Sequence, residues 1–291
     1  MSTGVPLVSI LMCTRNRASF LRRACASVQQ QDMEDWELII IDDGSSDDTP
    51  VVVTELARDE PRVVALRNDL PCFTIAQASN WALSKARGRY VAILDDDDAW
   101  CDSAKLSKQV RFLEKNPGYI GTGGGIIFVD ENRIETGRFL PPEDDAAIRQ
   151  VALLSSPLAN STAIFRRHEA LKAGGYDETL RDFSDWDFWL RMGSRGRLHN
   201  LQEYLAYYTR WSGGRSAKNG SELAHAAARI VDRHQHAYPR HAVAWVYARL
   251  LVINACLPSF LRSGLRGRFT RIKQVLAGAG KRPFTSRSSR D

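Results

Sequence analysis

The sequence predicts an α/β protein on three observations. Short apolar runs alternate with helically spaced segments through the first hundred residues, the rhythm of α/β folds. Two of these runs, 37–41 and 90–94, end in packed carboxylates: Asp42-Asp43 after the first, Asp95-Asp96-Asp97-Asp98 after the second. At 291 residues and 44% hydrophobic, the chain can bury one large core plus an appendage.

Each element follows from its residues. Residues 8–12 form a strand, and Phe20, Leu21, Ala24, Cys25 and Val28 then recur at helical spacing. The second strand, 37–41, runs into the turn formers Asp43-Gly44-Ser45-Ser46. Thr49-Pro50 reads as an N-cap with proline at the first helical position, opening a helix to about residue 58. A third strand over 62–66, a helix over 75–86 and a fourth strand over 90–94 complete the alternation. Asp102 is expected to cap a helix that carries Leu106, Val110 and Leu113. Beyond Pro117 the pattern loosens. A glycine-rich strand over 119–129 is followed by a mixed stretch to 154, a strand over 161–166 and a turn at Gly174-Gly175-Tyr176. An aromatic helix over 184–192 and a strand over 205–211, ended by Ser212-Gly213-Gly214, come next. From about residue 221 the chain reads as helices, and its last ten or so residues as a disordered terminus.

The net charge of +6 is unevenly spread. Residues 262–291 hold nine Lys and Arg against Asp291, a charge of +8, which leaves −2 for the rest. The pI of about 9.2 therefore belongs to the tail, and no nucleic-acid-binding core is expected. Cys13, Cys25, Cys72, Cys101 and Cys256 lack C-x-x-C spacing, which argues for reduced thiols in a cytosolic compartment without a zinc site or disulfide framework. No basic-then-apolar leader opens the chain. The best apolar stretch, 241–261, is interrupted by Arg249, Asn254 and Pro258, so no membrane span is expected.

A buried strand that delivers four carboxylates to a sheet edge crowds like charges; a divalent cation, or a ligand carrying one, relieves the repulsion. On an extended segment Asp95 and Asp97 share one face, Asp96 and Asp98 the other. One carboxylate can then meet a metal while its neighbour reaches a ribose hydroxyl. Asp42, at a strand's carboxyl end where α/β sheets bind ligands, can accept from a base or ribose; equally, Asp42 and Asp43 can bond their own turn. Thr14-Arg15-Asn16-Arg17 leaves the first strand and opens a helix, which puts its amides and arginines near a nucleotide. Neither G-x-G-x-x-G nor G-x-x-x-x-G-K-[ST] is present, which disfavours dinucleotide and P-loop binding. Asp185 and Asp187, two apart on a helix, face nearly opposite ways. Asp187 has Arg191 four residues on and reads as a surface ion pair. Asp185 meets Phe188 and Trp189, an aromatic face that strips solvent, raises its pKa from ~3.9 and improves it as a proton acceptor. The plainer reading is an acid favoured by the helix N-terminus. His234 and His236 form no metal-ligating pattern and read as surface residues.

In their order and separations these segments resemble the inverting glycosyltransferases of family 2. The resemblance rests on Val8-Ser9-Ile10 with Thr14-Arg15-Asn16-Arg17, on 37–47 with Asp42-Asp43-Gly44-Ser45-Ser46-Asp47, and on 86–98 with Trp100. It continues through Gly174-Gly175-Tyr176-Asp177 and Ser184-Asp185-Trp186-Asp187-Phe188-Trp189-Leu190-Arg191. It implies a GT-A fold: a single Rossmann-like nucleotide-binding α/β/α sandwich with a mixed sheet and a C-terminal helical appendage. The glycosyltransferase domain would cover 1–216, with a donor half to about residue 100 and an acceptor half after it. A helical region over 217–278 and a basic tail over 279–291 would follow. The implied partners are a nucleoside-diphosphate sugar, UDP foremost, and a glycan or lipid-linked acceptor, with Mg2+ or Mn2+ as cofactor. Thr14 and Arg15 would line the nucleobase pocket, Asp42 bond the base and Asp96 the ribose, with Asn16, Arg17, Asp43 and Asp95 in the same donor site. Asp97 would hold the metal, and Asp185 would be the base that takes the acceptor proton.

Four positions depart from the family pattern: Arg15 where a tyrosine often stacks on the base, Ser79 where arginine is frequent, Ser184 for the usual glutamate, and Trp211 for a histidine near the diphosphate. Ser184 and Trp211 support an alternative, a non-catalytic sugar-nucleotide-binding subunit with an inherited fold. A nucleotidyltransferase reading lacks its G-x-G-T-R loop. The C-terminal apolar residues Trp245, Tyr247, Leu250, Leu251, Ile253, Leu257, Phe260, Leu261 and Phe269 are interleaved with arginines. They read either as helices lying on an anionic membrane at its cytoplasmic face, or as a helical cap with a solvated basic face.

Overall fold

The computed structural model describes residues 4–68, 74–211 and 220–256. The 212–214 turn, the 216 boundary, Cys72 and everything after 256, including Leu257, Phe260, Leu261, Phe269 and the basic tail, lie outside the described residues. β1 (Val8–Thr14), α1 (Ala18–Gln29), β2 (Trp36–Asp42), α2 (Thr49–Asp59), β3 (Val63–Arg67), α3 (Ile75–Lys85) and β4 (Tyr90–Ile93) follow the predicted alternation. Then come β5 (Ala99–Trp100), α4 (Lys105–Lys115), β6 (Tyr119–Val129), β7 (Glu135–Phe139), α5 (Asp145–Val151), β8 (Ile164–Arg166) and α6 (Arg167–Lys172). The last elements are α7 (Ser184–Arg195), β9 (Arg197–Thr209), α8 (Gly220–His234) and α9 (His241–Cys256).

Among the described residues the strands form one mixed sheet in the order β3-β2-β1-β4-β8-β6-β9-β5, with β7 paired to β6. β2 and β4 flank β1 in parallel, and β8 enters antiparallel between β4 and β6. Helices cover both faces, so both sides of β1 are apolar. Val8, Ile10 and Met12 pack with Leu21, Ala24 and Val28 of α1. Leu11, with Ile39, Ile41, Val91 and Ile93, packs against α3 and the Phe188–Trp189 face of α7. The chain leaves β1 toward β2 and β3, then returns to β4 on the other side. That reversal opens a crevice at the carboxyl ends of β1 and β4, the place where open α/β sheets take ligands.

The opposite pole explains two buried polar residues in the strands. Ser9 Oγ donates to Glu37 Oε1 at 2.6 Å and accepts from the Gly88 amide at 2.8 Å. Glu37 in turn accepts from the Arg87 amide and Nε, both at 2.9 Å. Gly88 fits because it lacks a Cβ, which would sit 2.6 Å from the Ser9 nitrogen and 2.8 Å from the Tyr90 carbonyl. Backbone cannot yield as a side-chain tip can. Gly88→Ala is therefore expected to cost about 2 kcal/mol or more, read as a lowered urea midpoint with an unchanged slope.

Several local expectations are corrected. Thr49 is the first residue of α2, not its cap: Asp48 holds that position without a side-chain bond. The Thr49 hydroxyl is taken by the Arg17 amide at 2.8 Å. Asp102 does not cap α4, whose N-cap is Ala104. It accepts from the Ala104 amide at 2.9 Å and pairs with Lys108 at 2.7 Å. The 161–166 strand begins only at Ile164, after a 3-10 turn at Asn160–Thr162. The C-terminal helical appendage is present and packs on the rest of the fold. Ala228, Ile230 and Val231 of α8 and Ala244, Tyr247 and Ala248 of α9 share a core with Trp186 and Leu190 of α7 and with residues 152–154.

Candidate active site

The four aspartates after β4 lie at the crevice. They do not continue the strand: the Asp98 amide donates to the Asp95 carbonyl at 3.1 Å, closing a tight turn. The extended alternation expected from sequence is thus replaced by a turn. Yet Asp95 and Asp97 remain partly exposed while Asp96 and Asp98 are buried. The turn is fastened from within. Asp98 accepts from Ser161 Oγ at 2.5 Å and from the Thr209 amide at 2.9 Å, so it anchors the acids to the 160–162 turn and to the end of β9. Asp95 accepts from Asn160 Nδ2 at 2.9 Å. Asp97 accepts from Trp211 Nε1 at 2.9 Å, and its carbonyl accepts from Arg23. Arg17 Nε lies 3.8 Å from Asp96, with its guanidinium stacked 4.1 Å over the Trp211 ring.

Desolvation is the main cause that raises the carboxyl of Asp96, to about 7, with the charge of Asp97 second. Desolvation likewise raises Asp95, helped by Asp97, Asp185 and Asp96 in that order, and raises Asp98, helped by Asp95 and Asp97. Three carboxyls kept high by burial and by one another form a site short of positive charge.

Asp185 lies within electrostatic reach of this turn. It is the second residue of α7, partly exposed, and its charge acts on both Asp95 and the buried Tyr176 hydroxyl. Phe183, in the left-handed region at φ 59°, turns the chain into the helix. Gly175 (φ +67°) sets up the approach: a Cβ there would lie 2.4 Å from Asn80 Oδ1, which accepts from the Tyr176 amide at 2.7 Å.

Asp187 is not a surface ion pair. It is fully buried. It accepts from Arg191 Nε at 2.7 Å and Arg233 at 3.1 Å, and bonds His234 Nε2 at 2.8 Å. Burial pushes its carboxyl up, but the bonds from His234 and Arg191 and the charge of Arg191 outweigh this and hold it at about 2. His234 is correspondingly buried rather than on the surface, whereas His236 is exposed as expected. The α8 residues are thus clamped two positions from Asp185.

The nucleotide-side candidates are brought to one edge, though several already have partners. Asp42 accepts from the Ser45 amide at 3.0 Å and from Arg67 at 2.9 Å; Asp43 accepts from Asn68 at 2.9 Å and lies 3.9 Å from Arg15. Thr14 is buried beside Asp42 in register. The loop amides expected to face a nucleotide are engaged within the fold. The Asn16 amide donates to Ser45 Oγ at 2.9 Å, and its side chain accepts from the Ser46 amide at 2.8 Å. Arg15 and Asn16 are the exposed members of this loop.

Among the described residues no group of three or more His, Cys, Asp or Glu could by itself hold a metal ion. The donor set nonetheless suits a hard divalent cation. Carboxylate oxygens at a site short of positive charge, two of them partly exposed, match Mg2+ sites built from one or two carboxylates and completed by phosphates.

Residues 9–175 match the family model "Glycosyl transferase family 2". The chain is 30% identical over 219 residues to the UDP-Glc:alpha-D-GlcNAc-diphosphoundecaprenol beta-1,3-glucosyltransferase WfaP of Escherichia coli, covering 75% of this chain and 82% of that one. It is 28% identical over 201 residues to the amylovoran biosynthesis glycosyltransferase AmsE of Erwinia amylovora, covering 68% and 73%. Among solved structures, S. aureus TarS 1–349 in complex with UDP-GlcNAc superposes with TM-score 0.65 at 16% identity, covering 94% of this chain and 83% of that one. The mannosyltransferase PcManGT of Pyrobaculum calidifontis, in complex with GDP-Man and Mn2+, gives 0.62 at 19% identity, covering 95% and 87%.

Proposed function

Because the chain belongs to glycosyl transferase family 2 and has the GT-A fold, we propose that it transfers a sugar, with inversion, from a nucleoside-diphosphate sugar to an acceptor hydroxyl. It is a glycosyltransferase of glycan synthesis; donor, stereochemistry and metal dependence are the proposed part. The observation that carries them is the coulombic influence of Asp185 on Asp95, two acids about ninety residues apart in the chain.

In this reading Asp185 takes the acceptor proton as the freed oxygen bonds to the anomeric carbon. The bond from that carbon to the diphosphate breaks, and the diphosphate leaves with the electron pair. Mg2+ or Mn2+, held by Asp97 and the donor's phosphates, would supply Lewis-acid stabilisation of the leaving group. Arg17, stacked on Trp211, is set beside the same acids to neutralise phosphate charge. Thr14, Arg15, Asn16, Asp42, Asp43, Asp95 and Asp96 frame the nucleoside side, with UDP the first candidate. The relative WfaP, named for a UDP-glucose donor and a lipid-diphosphate acceptor, supports that choice and a glycan or lipid-linked acceptor.

Screening UDP-, GDP- and dTDP-sugars for thermal stabilisation, with and without Mn2+, tests the donor. Stabilisation is expected for one nucleotide class only with the cation, and Asp97→Ala should lose it. Stabilisation by none would refute the donor assignment. Trp211→Phe keeps a ring under Arg17 but removes the hydrogen bond that orients Asp97. Cation-dependent donor affinity should fall about tenfold or more, the usual effect of losing an outer-sphere partner.

No described helix is long and apolar enough to cross a membrane. Binding on an anionic bilayer, at its cytoplasmic face, is supported by α9. Trp245, Val246, Leu250 and Ile253 are 39–59% exposed and lie on one side of it, within an arc of about 140°. Tyr247 and Ala248 face the core instead. The sequence following α9 carries the +8 charge that anionic lipid would attract. Val246→Glu with Ile253→Glu should abolish sedimentation with anionic vesicles. Undiminished sedimentation would remove α9 as the contact.

A further inference from the structure

A cleft of about 420 Å3 opens between residues 179–182 and the first turns of α8, and the mechanism above leaves it unused. Thr179, Leu180, Arg181 and Asp182 form one wall; Ser221, Glu222, His225, Ala226 and Arg229 form the other. Its volume lies within the usual range for small-molecule sites. The first wall runs on through Phe183 into α7, so Asp182 stands three residues from Asp185. The first wall of the cleft is therefore continuous along the chain with the start of α7, which carries Asp185.

The second wall is fixed. Arg233 of α8 bonds Asp177 at 2.6 Å and Asp187 at 3.1 Å, and His234 bonds Asp187 at 2.8 Å. One turn and more before these anchors, His225 and Arg229 stand four residues apart on the exposed side of α8, facing the cleft together. The His225 ring bonds the Ser221 carbonyl at 2.9 Å. Arg181 supplies a third basic group from the opposite wall. Hydroxyls of Thr179 and Ser221 and carboxylates of Asp182 and Glu222 are suited to sugar hydroxyls, and Ala226 leaves room beside them. Guanidinium groups from both walls are suited to an anion, above all a phosphoryl group, which arginine binds in a bidentate manner.

We propose that this cleft holds the acceptor, and that the acceptor carries a phosphate or diphosphate next to its sugar. The proposal rests on the transferase reading of Asp185 and adds the acceptor's chemical class and the residues that select it. Arg181 and Arg229 hold the phosphoryl group, His225 flanks it, and the sugar lies toward Asp185.

Calorimetry with saturating UDP and Mn2+ in the donor site tests it. Three probes are compared: glucose 1-phosphate, dodecyl-diphosphate-linked glucose and uncharged dodecyl glucoside. At least one phosphorylated probe should bind about tenfold or more tighter than the glucoside, the scale of a charge-assisted hydrogen bond. Arg229→Ala and Arg181→Ala should each remove that preference, Arg229→Lys should restore part of it, and circular dichroism should report each variant folded. Preference for the alkyl diphosphate alone indicates a lipid-linked acceptor; equal binding of the 1-phosphate indicates a soluble or polymeric one. No phosphate preference, or a preference undiminished in the Arg181→Ala/Arg229→Ala double variant, overturns the proposal. The UDP–Mn2+ melting shift in the same samples separates the two failures. If it is present while the probes fail, only the acceptor assignment falls; if it is absent, the donor reading falls.

Discussion

Asp185→Asn will bind the donor as wild type does and transfer sugar about 10²–10⁴ times more slowly, the range that general-base assistance supplies. Asparagine keeps the size of the side chain and its ability to accept a hydrogen bond at the start of α7, but it cannot take a proton. Loss of the charge costs the helix only about 0.3–1 kcal/mol, because an acid near a helix N-terminus is worth no more than that. The variant should therefore remain folded, and the loss should appear in kcat rather than in the KM for donor. A kcat within about threefold of wild type would remove Asp185 from the base role, since base catalysis is worth at least about 10².

Asp187→Ala will lose stability instead. Asp187 is fully buried, with Arg191, Arg233 and His234 directed at it. Removing the only carboxylate that joins these three groups leaves the buried His234 ring and the half-buried Arg191 without this acceptor, while Arg233 keeps Asp177, a change that costs about 1–3 kcal/mol. The loss also weakens the polar tie between α8 and α7, whose apolar packing remains. Urea unfolding at pH 7 measures the effect. Its pH dependence follows from the carboxyl being held at about 2 against an ordinary 3.8. The folded state binds this proton less readily than the unfolded state does. The resulting contribution, about 2 kcal/mol, is complete above pH 4 and is lost as pH falls toward 2. The gap between wild type and variant should therefore narrow from pH 5 to pH 3. A constant gap, or one below about 1 kcal/mol at pH 7, would contradict the clamp.

The first hundred residues were legible because their strands and helices have clean periods. Val8, Ile10 and Met12 against Leu11, or Leu21, Ala24 and Val28 at helical spacing, leave little choice of element. β5 was missed because two residues carry no period, and β7 because all but its central glycine are exposed, which leaves no buried face to read. The first half of β9 is likewise poor in apolar alternation between Arg197 and Glu203. Four identical aspartates cannot distinguish a strand from a turn. What distinguishes them is the hold of Ser161 and the Thr209 amide on Asp98, from 63 and 111 residues away. The same reason hid the partners of Asp187 and Asp97. His234 and Trp211 lie 47 and 114 residues from the acids they bond, and no local pattern announces such pairs. Trp211 was noticed only as a departure from a family pattern, and the structure gives that departure a contact. Read on its own helix, Asp187 had one visible cation and so looked like a surface pair.

Anomalous diffraction at the manganese edge, from crystals grown with a nucleoside diphosphate and Mn2+, tests the central claim most directly. One manganese peak bonded to Asp97 and to the diphosphate, in a crevice that also opens onto Asp185, is the predicted result. Manganese bound away from residues 95–98, or a diphosphate seated where Asp185 does not face it, would contradict the account.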